Sequence, residues 1–542
     1  MSGAPSLVLI GIDGGTFDLI DPWVREGRLP AFEWLLGGAR GELASTHPPL
    51  TPVAWSSMLT GCDPGQHRSW GFLNLGFDYE PEFLNGGSLP LPTLFELLSD
   101  SGMRVGTLNL PWTWPPRAVN GWWLSGLDAP AFNRDIAHPA GLFEELQRHF
   151  GGYFPRNVPP KRDGYALDLL EEQVTMTGAM ARYLAAEHPV DLLAVAFVST
   201  DHVQHWFWRD RAITARDGRL LDDLLLYTYE LVDREIARII EETAGPRTTV
   251  LLVSDHGAGP AEGGINLARW LAGGGWLHPR DVGAGGLVRK SALRLGARWL
   301  PAAVRERLRG RLGSTRRTML SSLLRDGIEW ERTSAFCWSD YGSISLNEEG
   351  RFSAGCVSKS RTEPLLSELA EALMAIRHPE TGERVMSAPL RPAEIYQCAE
   401  AGAGPDLLAI PRGYRWEILS DFTPYGPIHD DGSEGIFRPA LRQATHRLHG
   451  ILAARGPGLR SDFRLAGARI EDITPTILHL LGERVPSYMD GRVLCEMVDP
   501  RRRMNRPPER ENMDPAGVRA GGGYSALEAE AIERDLHGLG YL

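Results

Sequence analysis

Short, continuous apolar segments alternate with longer amphipathic ones along the first half of the chain. The clearest apolar segments are Leu7 to Ile12, Asp191 to Ser199 and Thr248 to Val253. Runs of this length without polar alternation are typical of strands that are buried on both faces. The amphipathic segments 166–187 and 220–242 predict helices that lead into and between the later strands. This alternation predicts an α/β fold with a central, mostly parallel sheet and helices on both faces.

The same patterning predicts a set of shorter elements. Further helices are expected at 29–36, 52–60, 93–99, 365–376, 473–481 and 525–536, and further strands at 41–45, 103–110, 121–127, 406–410 and 451–454. The segment 335–346 has a pattern that is typical of core structure.

The strand and helix alternation stops after Gly264, and this break suggests a domain division. We predict a core formed by 1–264 and 335–499, an inserted Arg-rich helical cap at 265–334, and a polar tail at 500–542 with a short C-terminal helix. The basic residues of the insert are Arg289, Lys290, Arg294, Arg298, Arg305, Arg307, Arg309, Arg311, Arg316 and Arg317. The insert is either an ordinary solvated helical segment or a cap whose arginines meet an anionic substrate.

Composition narrows the class of protein. Hydrophobic residues make up 43% of the 542 residues and charged residues 23%, which is typical of a soluble globular enzyme. The net charge of −12 argues against a nucleic acid polymer as partner. The chain has neither a basic leader nor an apolar run near the ~20 residues of a membrane span, so a cytoplasmic location is expected. Its five cysteines are scattered, which indicates neither a disulfide framework nor a thiolate metal site.

Polar residues follow directly on the predicted central strands. Asp13 ends the first, Asp201 follows the 191–199 strand with His205 four residues later, and Asp255 and His256 follow the 248–253 strand. Ligands bind outside the carboxyl ends of such strands, and residues at i and i+4 share one face of a helix. Asp13 could instead be a helix cap or turn residue, and Asp255 with His256 could simply form a strand-ending turn. Asp201 could cap a helix that carries an exposed histidine.

Thr51 stands at the head of a predicted helix whose first residue is Pro52. It is either a helix cap or a hydroxyl placed where backbone N–H groups can hold a phosphoryl oxygen. With His446 from a later segment, the chain offers carboxylates and imidazoles that suit zinc or manganese better than a thiolate site does. Two ions sharing these ligands could clamp an in-line displacement at phosphorus, with Thr51 as the nucleophile.

Several segments together resemble the type I phosphodiesterase/nucleotide pyrophosphatase branch of the alkaline phosphatase superfamily. They are VLIGIDGGTFD at 8–18, PPLTPVAWSSMLTG at 48–61, NLPWTWPP at 109–116, STDHVQH at 199–205, SDHGAGP at 254–260, THRLHGILAARGPG at 445–458 and DITPTILHLLGERVPSYMDGRVL at 472–494. The final LGYL at 539–542 is similar to the ends of many bacterial members. The resemblance implies an alkaline phosphatase-like fold and two divalent metal ions, usually zinc, with manganese as the alternative.

The resemblance also implies roles for individual residues. One metal ion would be bound by Asp201, His205 and His446, and the other by Asp13, Thr51, Asp255 and His256. Thr51 would attack phosphorus to form a phospho-threonine, which water then hydrolyses. Asn74 falls near the position of an asparagine that contacts a phosphate oxygen in related phosphodiesterases. His449 competes with His446 for the last ligand position, and the THR context favours His446.

The function expected from these features is the hydrolysis of small phosphoric esters, with phosphodiesters or nucleotide pyrophosphates ahead of monoesters. A sulfatase is excluded, since Gln66 replaces the arginine of a formylglycine site in the segment 62–66. A phosphomutase or phosphotransferase with the same site, and a catalytically silent binding protein on this fold, are the alternatives. Six tryptophans could stack on a planar substrate or simply pack in the core: Trp112, Trp114, Trp122, Trp123, Trp206 and Trp208.

Overall fold

The computed structural model describes residues 3–151, 164–280, 327–337, 341–397, 404–420, 434–501, 507–514 and 523–539. Its centre is a 10-stranded sheet. The strand order is Phe463–Arg464, Ala39–Ala44, His449–Arg455, Thr249–Val253, Leu7–Ile12, Leu192–Phe197, Val105–Leu108, Gly121–Leu124 and Ala137–His138, and Ala468–Arg469 also pairs with Ala39–Ala44. The strands from Thr249–Val253 to Gly121–Leu124 are parallel to one another, whereas His449–Arg455 runs antiparallel to both of its neighbours.

Alternate residues of the central strands enter two separate cores, one on each face of the sheet. Val8 and Ile10 belong to one core, and Leu7 and Leu9 belong to the other. Successive side chains of a strand point to opposite faces, so the continuous apolar pattern is explained by helices that cover both sides. The predicted α/β architecture is therefore confirmed.

Each face of the sheet has its own set of helices. One face is covered by Phe17–Arg25, Pro30–Leu36, Leu142–Phe150, Gly164–Glu187, Ser199–Phe207 and Leu224–Thr243. The other face is covered by Thr51–Thr60, Leu94–Asp100 and Ile473–Leu481. No helix in the described parts of the chain is long and apolar enough to cross a bilayer.

A third core lies apart from the central sheet. It includes residues from the strands Gly263–Asn266, Trp416–Leu419, Ala335–Cys337, Ser343–Leu346 and Leu407–Leu408 and from the helices Leu267–Gly273 and Lys359–Ala375. Residues on both sides of the predicted cap boundary at 334 share this core. The domain division stays a prediction, because the basic residues from Arg289 to Arg317 lie outside the described residues.

The remaining elements are short. Paired strands are Leu73–Leu75 with Pro81–Phe83, Ile213–Thr214 with Leu220–Leu221, Gly257–Pro260 with Ala444–Arg447, and Val485–Pro486 with Arg510–Glu511, and Phe437–Arg438 pairs with Gly263–Asn266. Additional helices are Pro64–His67, Pro392–Ile395 and Ala526–Leu539, and 3₁₀ turns are Gly86–Ser88, Arg134–Ile136, Trp330–Arg332, Arg412–Tyr414, Glu434–Ile436, Ile470–Asp472 and Cys495–Met497.

The starts of two predicted helices need correction. The helix expected at 365–376 begins at Lys359. The helix expected to begin at 220 begins at Leu224, because the Asp223 side chain accepts a hydrogen bond from the Leu226 amide and caps the helix there. The helices Phe17–Arg25 and Leu142–Phe150 were not predicted. Both are strongly amphipathic, so their periodic pattern was available in the sequence. Each is only nine residues long, and Pro22 lies inside the first, which a sequence pattern disfavours for a helix interior.

His67, which is buried, and His47, which is partly buried, give a testable pH dependence. Burial lowers the pKa of His67 to about 3 and that of His47 to about 4. In the unfolded chain both bind a proton below about pH 6.5, whereas in the folded protein both stay neutral to much lower pH. The free energy of unfolding should therefore fall as pH falls from about 6.5 toward 4.

His67→Gln should reduce the slope of the unfolding free energy against pH between about pH 6.5 and pH 4. The reduction should correspond to about one bound proton. Ser69 N–H donates to His67 Nδ1 at 3.1 Å, and the Ser57 hydroxyl lies 2.9 Å from Nε2. A glutamine amide can take the place of Nε2 toward Ser57, although it loses the Ser69 contact. The measurement is urea denaturation at several pH values, with His149→Gln at an exposed position as control. An unchanged pH slope in His67→Gln would contradict this account.

Candidate metal and phosphoryl site

The polar residues predicted from the strand ends meet because their strands are neighbours. Leu7–Ile12 lies between Thr249–Val253 and Leu192–Phe197, and all of them are parallel. Their carboxyl ends therefore lie side by side and bring Asp255, Asp13 and Asp201 to one edge of the sheet. All are at most 2% exposed, which is unusual for carboxylates without compensating charge.

The turn after Asp13 depends on Gly14. Gly14 has a φ of +67°, and a Cβ there would lie 3.0 Å from Asp201 Oδ1. Its amide donates to Asp255 Oδ1 at 3.3 Å, and the Thr200 hydroxyl donates to the Asp13 carbonyl at 2.6 Å. A glycine is therefore needed both for the left-handed backbone and for the close approach of the aspartates.

Asp13, Asp255 and His256 form the first group of possible ligands. His256 Nε2 lies 3.4 Å from Asp13 Oδ1 and 3.3 Å from Asp255 Oδ2. Burial and the negative charge of Asp255 raise the pKa of Asp13 well above its usual value, and burial likewise raises the pKa of Asp255. Together the paired carboxylates favour a cation between them.

Asp201, His205 and His446 form the second group. Asp201 and His205 lie one turn apart on the helix Ser199–Phe207, with Oδ2 and Nε2 3.2 Å apart. His446 Nε2 lies 3.1 Å from His205 Nε2 and 3.6 Å from Asp201 Oδ1. Burial opposes the charge of Asp201, but the neighbouring imidazoles, first of all His205, hold its pKa well below the usual range.

Backbone carbonyls orient each of these imidazoles. Nδ1 of His205 lies 2.9 Å from the Ala444 carbonyl oxygen, and Nδ1 of His446 lies 2.7 Å from that of Pro49. Nδ1 of His256 lies 3.0 Å from the Gly257 carbonyl oxygen. A carbonyl can only accept, so each Nδ1 carries the proton and each Nε2 presents its lone pair to the two groups of possible ligands. An imidazole in this tautomer can bind a metal through Nε2.

Thr51 is the first residue of the helix Thr51–Thr60, and its hydroxyl lies 3.4 Å from His256 Nε2. Leu50 is the N-cap of that helix, and no side chain caps it. The alternative reading of Thr51 as a helix cap therefore does not hold. Its hydroxyl instead faces the buried ligand groups, and it lies at the positive end of the helix dipole.

The donor set fits divalent metal ions. Ligand atoms of Asp13, Asp255 and His256 lie within 4.8 Å of one another, and so do those of Asp201, His256 and His446. Within the described residues, neither Asp13 Oδ1 nor Asp255 Oδ2 has a hydrogen-bond partner. Buried oxygens without partners beside imidazole nitrogens are the arrangement that zinc or manganese would satisfy.

His446 and His449 have different surroundings. His446 is 1% exposed and lies within the constellation, whereas His449 is exposed and lines a separate surface cavity. Gly257, which follows His256, has to be a glycine because a Cβ there would lie 2.1 Å from the His449 carbonyl oxygen. The geometry therefore favours His446 over His449 as the ligand that joins Asp201 and His205.

Asn74 lies on the strand Leu73–Leu75 opposite Glu82 and is partly exposed. Phe72 rather than Asn74 lines the cavity beside Thr51. A role for Asn74 on a phosphate oxygen stays a prediction. Of the tryptophans, Trp112 lines that same cavity, and Trp122 and Trp123 are packed in the two cores of the sheet.

A series of hydrogen-bonded polar side chains behind His446 was not predicted from the sequence. The Tyr341 hydroxyl lies 3.5 Å from His446 Nε2 and accepts a hydrogen bond from Arg442 Nη1 at 3.2 Å. Arg442 Nε in turn donates to Glu417 Oε1 at 2.7 Å, and both side chains are buried. No local pattern links these residues, because they come from three separate segments of the chain.

A model of the type I phosphodiesterase / nucleotide pyrophosphatase family matches residues 7–413. The chain belongs to this family. Family membership indicates a phosphoester hydrolase of the phosphodiesterase and pyrophosphatase type, as the sequence analysis predicted. The match ends before His446, so the placement of that residue rests on the geometry above.

Solved structures share the fold of this family member. Human ectonucleotide pyrophosphatase / phosphodiesterase 5 is 12% identical, with a TM-score of 0.50 and coverage of 91% of this chain and 99% of that chain. Phosphonoacetate hydrolase from Sinorhizobium meliloti 1021, in complex with phosphonoacetate, is 14% identical, with a TM-score of 0.51 and coverage of 88% and 95%. These similarities establish the predicted alkaline phosphatase-like α/β fold. No curated protein has a matching sequence.

Proposed function

We propose that this protein hydrolyses phosphodiesters of small molecules with Thr51 as nucleophile and two divalent metal ions as cofactors. The observation that carries the proposal is the convergence on Thr51 of two buried groups of carboxylate and imidazole ligands. Thr51 Oγ1 lies 3.4 Å from His256 Nε2, and ligand atoms of His256 lie within 4.8 Å of those of Asp13 and Asp255 and also of those of Asp201 and His446.

The chain would hold the two ions with separate residues. Asp13, Asp255, His256 and Thr51 would bind one ion, and Asp201, His205 and His446 the other. When bound, the ions would lower the pKa of the Thr51 hydroxyl and balance the charge that develops on the phosphoryl oxygens. Zinc fits this nitrogen and oxygen set, and manganese is the alternative.

The reaction would proceed in two displacements. In the first, Thr51 Oγ1 gives up its proton to solvent and forms a bond to phosphorus while the bond to the leaving oxygen breaks. The leaving oxygen takes up a proton from solvent to give the alcohol, and the other ester group stays on the phospho-threonine. In the second, a water oxygen loses a proton and bonds to phosphorus while the Thr51 oxygen leaves and takes up a proton, which restores the hydroxyl. The helix that begins at Thr51 holds the nucleophile in a fixed position for both steps.

The polar chain behind His446 supports a diester rather than a monoester. A monoester carries an additional negative charge, which an uncompensated arginine would stabilise. Arg442, which reaches the site through Tyr341, is paired with Glu417 at 2.7 Å within the protein. Its charge is therefore already balanced.

The test compares hydrolysis of bis-p-nitrophenyl phosphate and p-nitrophenyl phosphate by protein that has been stripped of metal and then reconstituted with zinc or manganese. We expect activity only after reconstitution and a higher kcat/KM for the diester. A preference for the monoester would contradict the substrate class, and full activity of the stripped protein would contradict the cofactor assignment. Product analysis with an added alcohol separates hydrolysis from phosphoryl transfer.

A further inference from the structure

Asp13 is followed by Gly14 and Gly15, and we call these residues the Asp13 turn. Glycine leaves the backbone more conformational freedom than any other residue, so the two glycines cannot by themselves fix the position of the Asp13 carboxylate. Their amides donate to Asp255 Oδ1 at 3.3 Å and to Ser254 Oγ at 2.7 Å. The carbonyls of the turn need partners from another segment.

Two side chains of the helix Ser199–Phe207 supply those partners. The Thr200 hydroxyl donates to the Asp13 carbonyl at 2.6 Å, and Gln204 Nε2 donates to the Gly14 carbonyl at 3.0 Å. Both side chains are fully buried. The Asp13 turn thus receives hydrogen bonds from one helix at two successive carbonyls.

Both side chains serve the Asp13 turn rather than the helix or the core around them. A helical threonine commonly donates to a carbonyl of its own helix, but the Phe197 carbonyl lies 3.4 Å from the Thr200 hydroxyl, farther than the Asp13 carbonyl. Gln204 Oε1 has no hydrogen-bond partner within the described ranges of the chain. A buried amide oxygen without a partner disfavours the folded state relative to an apolar side chain of similar size. What the amide contributes is therefore the hydrogen bond from Nε2 to the turn.

The same helix presents ligands of the second group on a neighbouring face. Thr200 and Gln204 are four residues apart and share one face of the helix. Asp201 and His205, each one residue later, share the next face. One helix therefore carries two ligands of the second group and also holds the turn that carries Asp13.

Packing fixes this helix, whereas hydrogen bonds fix the Asp13 turn. Val203 and Phe207 anchor the helix in the core on one face of the central sheet. Gly14 and Gly15 have no side chains with which to anchor the turn in the same way. Removal of the donor at position 200 or 204 should therefore displace the turn and leave the helix in place.

We propose that Thr200 and Gln204 are positioning residues for the metal ion of the first group. Their hydrogen bonds hold the Asp13 turn so that the Asp13 carboxylate stays beside Asp255 and His256. This inference rests on the proposed function and deepens it, because it makes metal binding by the first group depend on the helix that carries two ligands of the second. Neither positioning residue is itself a ligand.

The test measures the zinc affinity of each ligand group separately, by competition with a chromophoric chelator. His446→Ala leaves only the first group intact, and Asp255→Asn leaves only the second. In the His446→Ala background, Gln204→Met and Thr200→Val should each weaken zinc binding about 10- to 100-fold, the cost of changing a residue that orients a metal ligand. In the Asp255→Asn background, the same changes should leave zinc binding nearly unaffected.

Thr200→Ser and Gln173→Met are the matched controls. Thr200→Ser keeps the hydroxyl and should keep the zinc affinity of the first group. Gln173 is also buried, and its amide has no hydrogen-bond partner among the residues that the structure describes, but it lies on the separate helix Gly164–Glu187. Gln173→Met should therefore leave both groups unaffected. Thermal unfolding of the metal-free variants shows which of them are folded, and the changes at 200 and 204 test the inference independently.

Zinc binding that weakens only in the His446→Ala background supports the inference. Equal weakening in both backgrounds, or weakening in neither, overturns it while the proposed function stands. If the wild-type protein binds fewer than two zinc ions, the proposed function fails and the inference fails with it.

Discussion

Thr51→Ala is expected to lower kcat/KM for bis-p-nitrophenyl phosphate by about 10⁴- to 10⁶-fold, the loss that follows removal of a covalent nucleophile. The variant removes one hydroxyl at the start of the helix Thr51–Thr60, where Leu50 is the N-cap and no side chain caps the helix. The folded state should therefore keep its stability. Initial rates and thermal unfolding, measured on the same metal-loaded preparation, check both parts.

Thr51→Ser provides the control for this prediction, because it keeps the attacking oxygen. It should retain a substantial part of the activity that Thr51→Ala loses. Acid quenching during turnover, followed by mass spectrometry, should locate a p-nitrophenyl phosphate adduct on residue 51 of wild type. Comparable turnover by Thr51→Ala and wild type would show that the nucleophile is not Thr51.

The ligands at the edge of the sheet could be predicted from the sequence, because local patterns determine where each strand ends. Asp13, Asp201 and Asp255 each follow an apolar strand, and parallel strands place their carboxyl ends together. The approach of His446 could not be predicted in the same way. It depends on pairing between Gly257–Pro260 and Ala444–Arg447, which are separated by nearly the whole third core.

The hydrogen-bonded series of Tyr341, Arg442 and Glu417 could not be predicted from local sequence patterns. Each residue lies in a different segment, and nothing in the spacing of these residues distinguishes a buried ion pair from a solvated one. The C-terminal helix shows a related limit. Its amphipathic pattern predicts a helix with one buried face, but the pattern does not say that this face packs beside Thr51.

His446→Ala should lose one of the two bound metal ions and lower kcat/KM for the diester by at least about a hundredfold. Changes to residues that merely orient a metal ligand cost about 10- to 100-fold, so loss of a ligand itself should cost more. His446 Nε2 lies 3.1 Å from His205 Nε2 and 3.6 Å from Asp201 Oδ1, whereas its Nδ1 is held by the Pro49 carbonyl. Metal content by atomic absorption, measured alongside the rates, tests the assignment.

His449→Ala is the matched control, since it removes an equally sized imidazole three residues away. Neighbouring side chains of extended backbone alternate in direction, so positions three apart tend to face opposite ways. His446 lies among buried carboxylates, and His449 is exposed at the start of the strand His449–Arg455. We therefore expect His449→Ala to keep both metal ions and full activity. If His449→Ala lost the metal and His446→Ala kept it, the second ligand group would have to be rebuilt around His449.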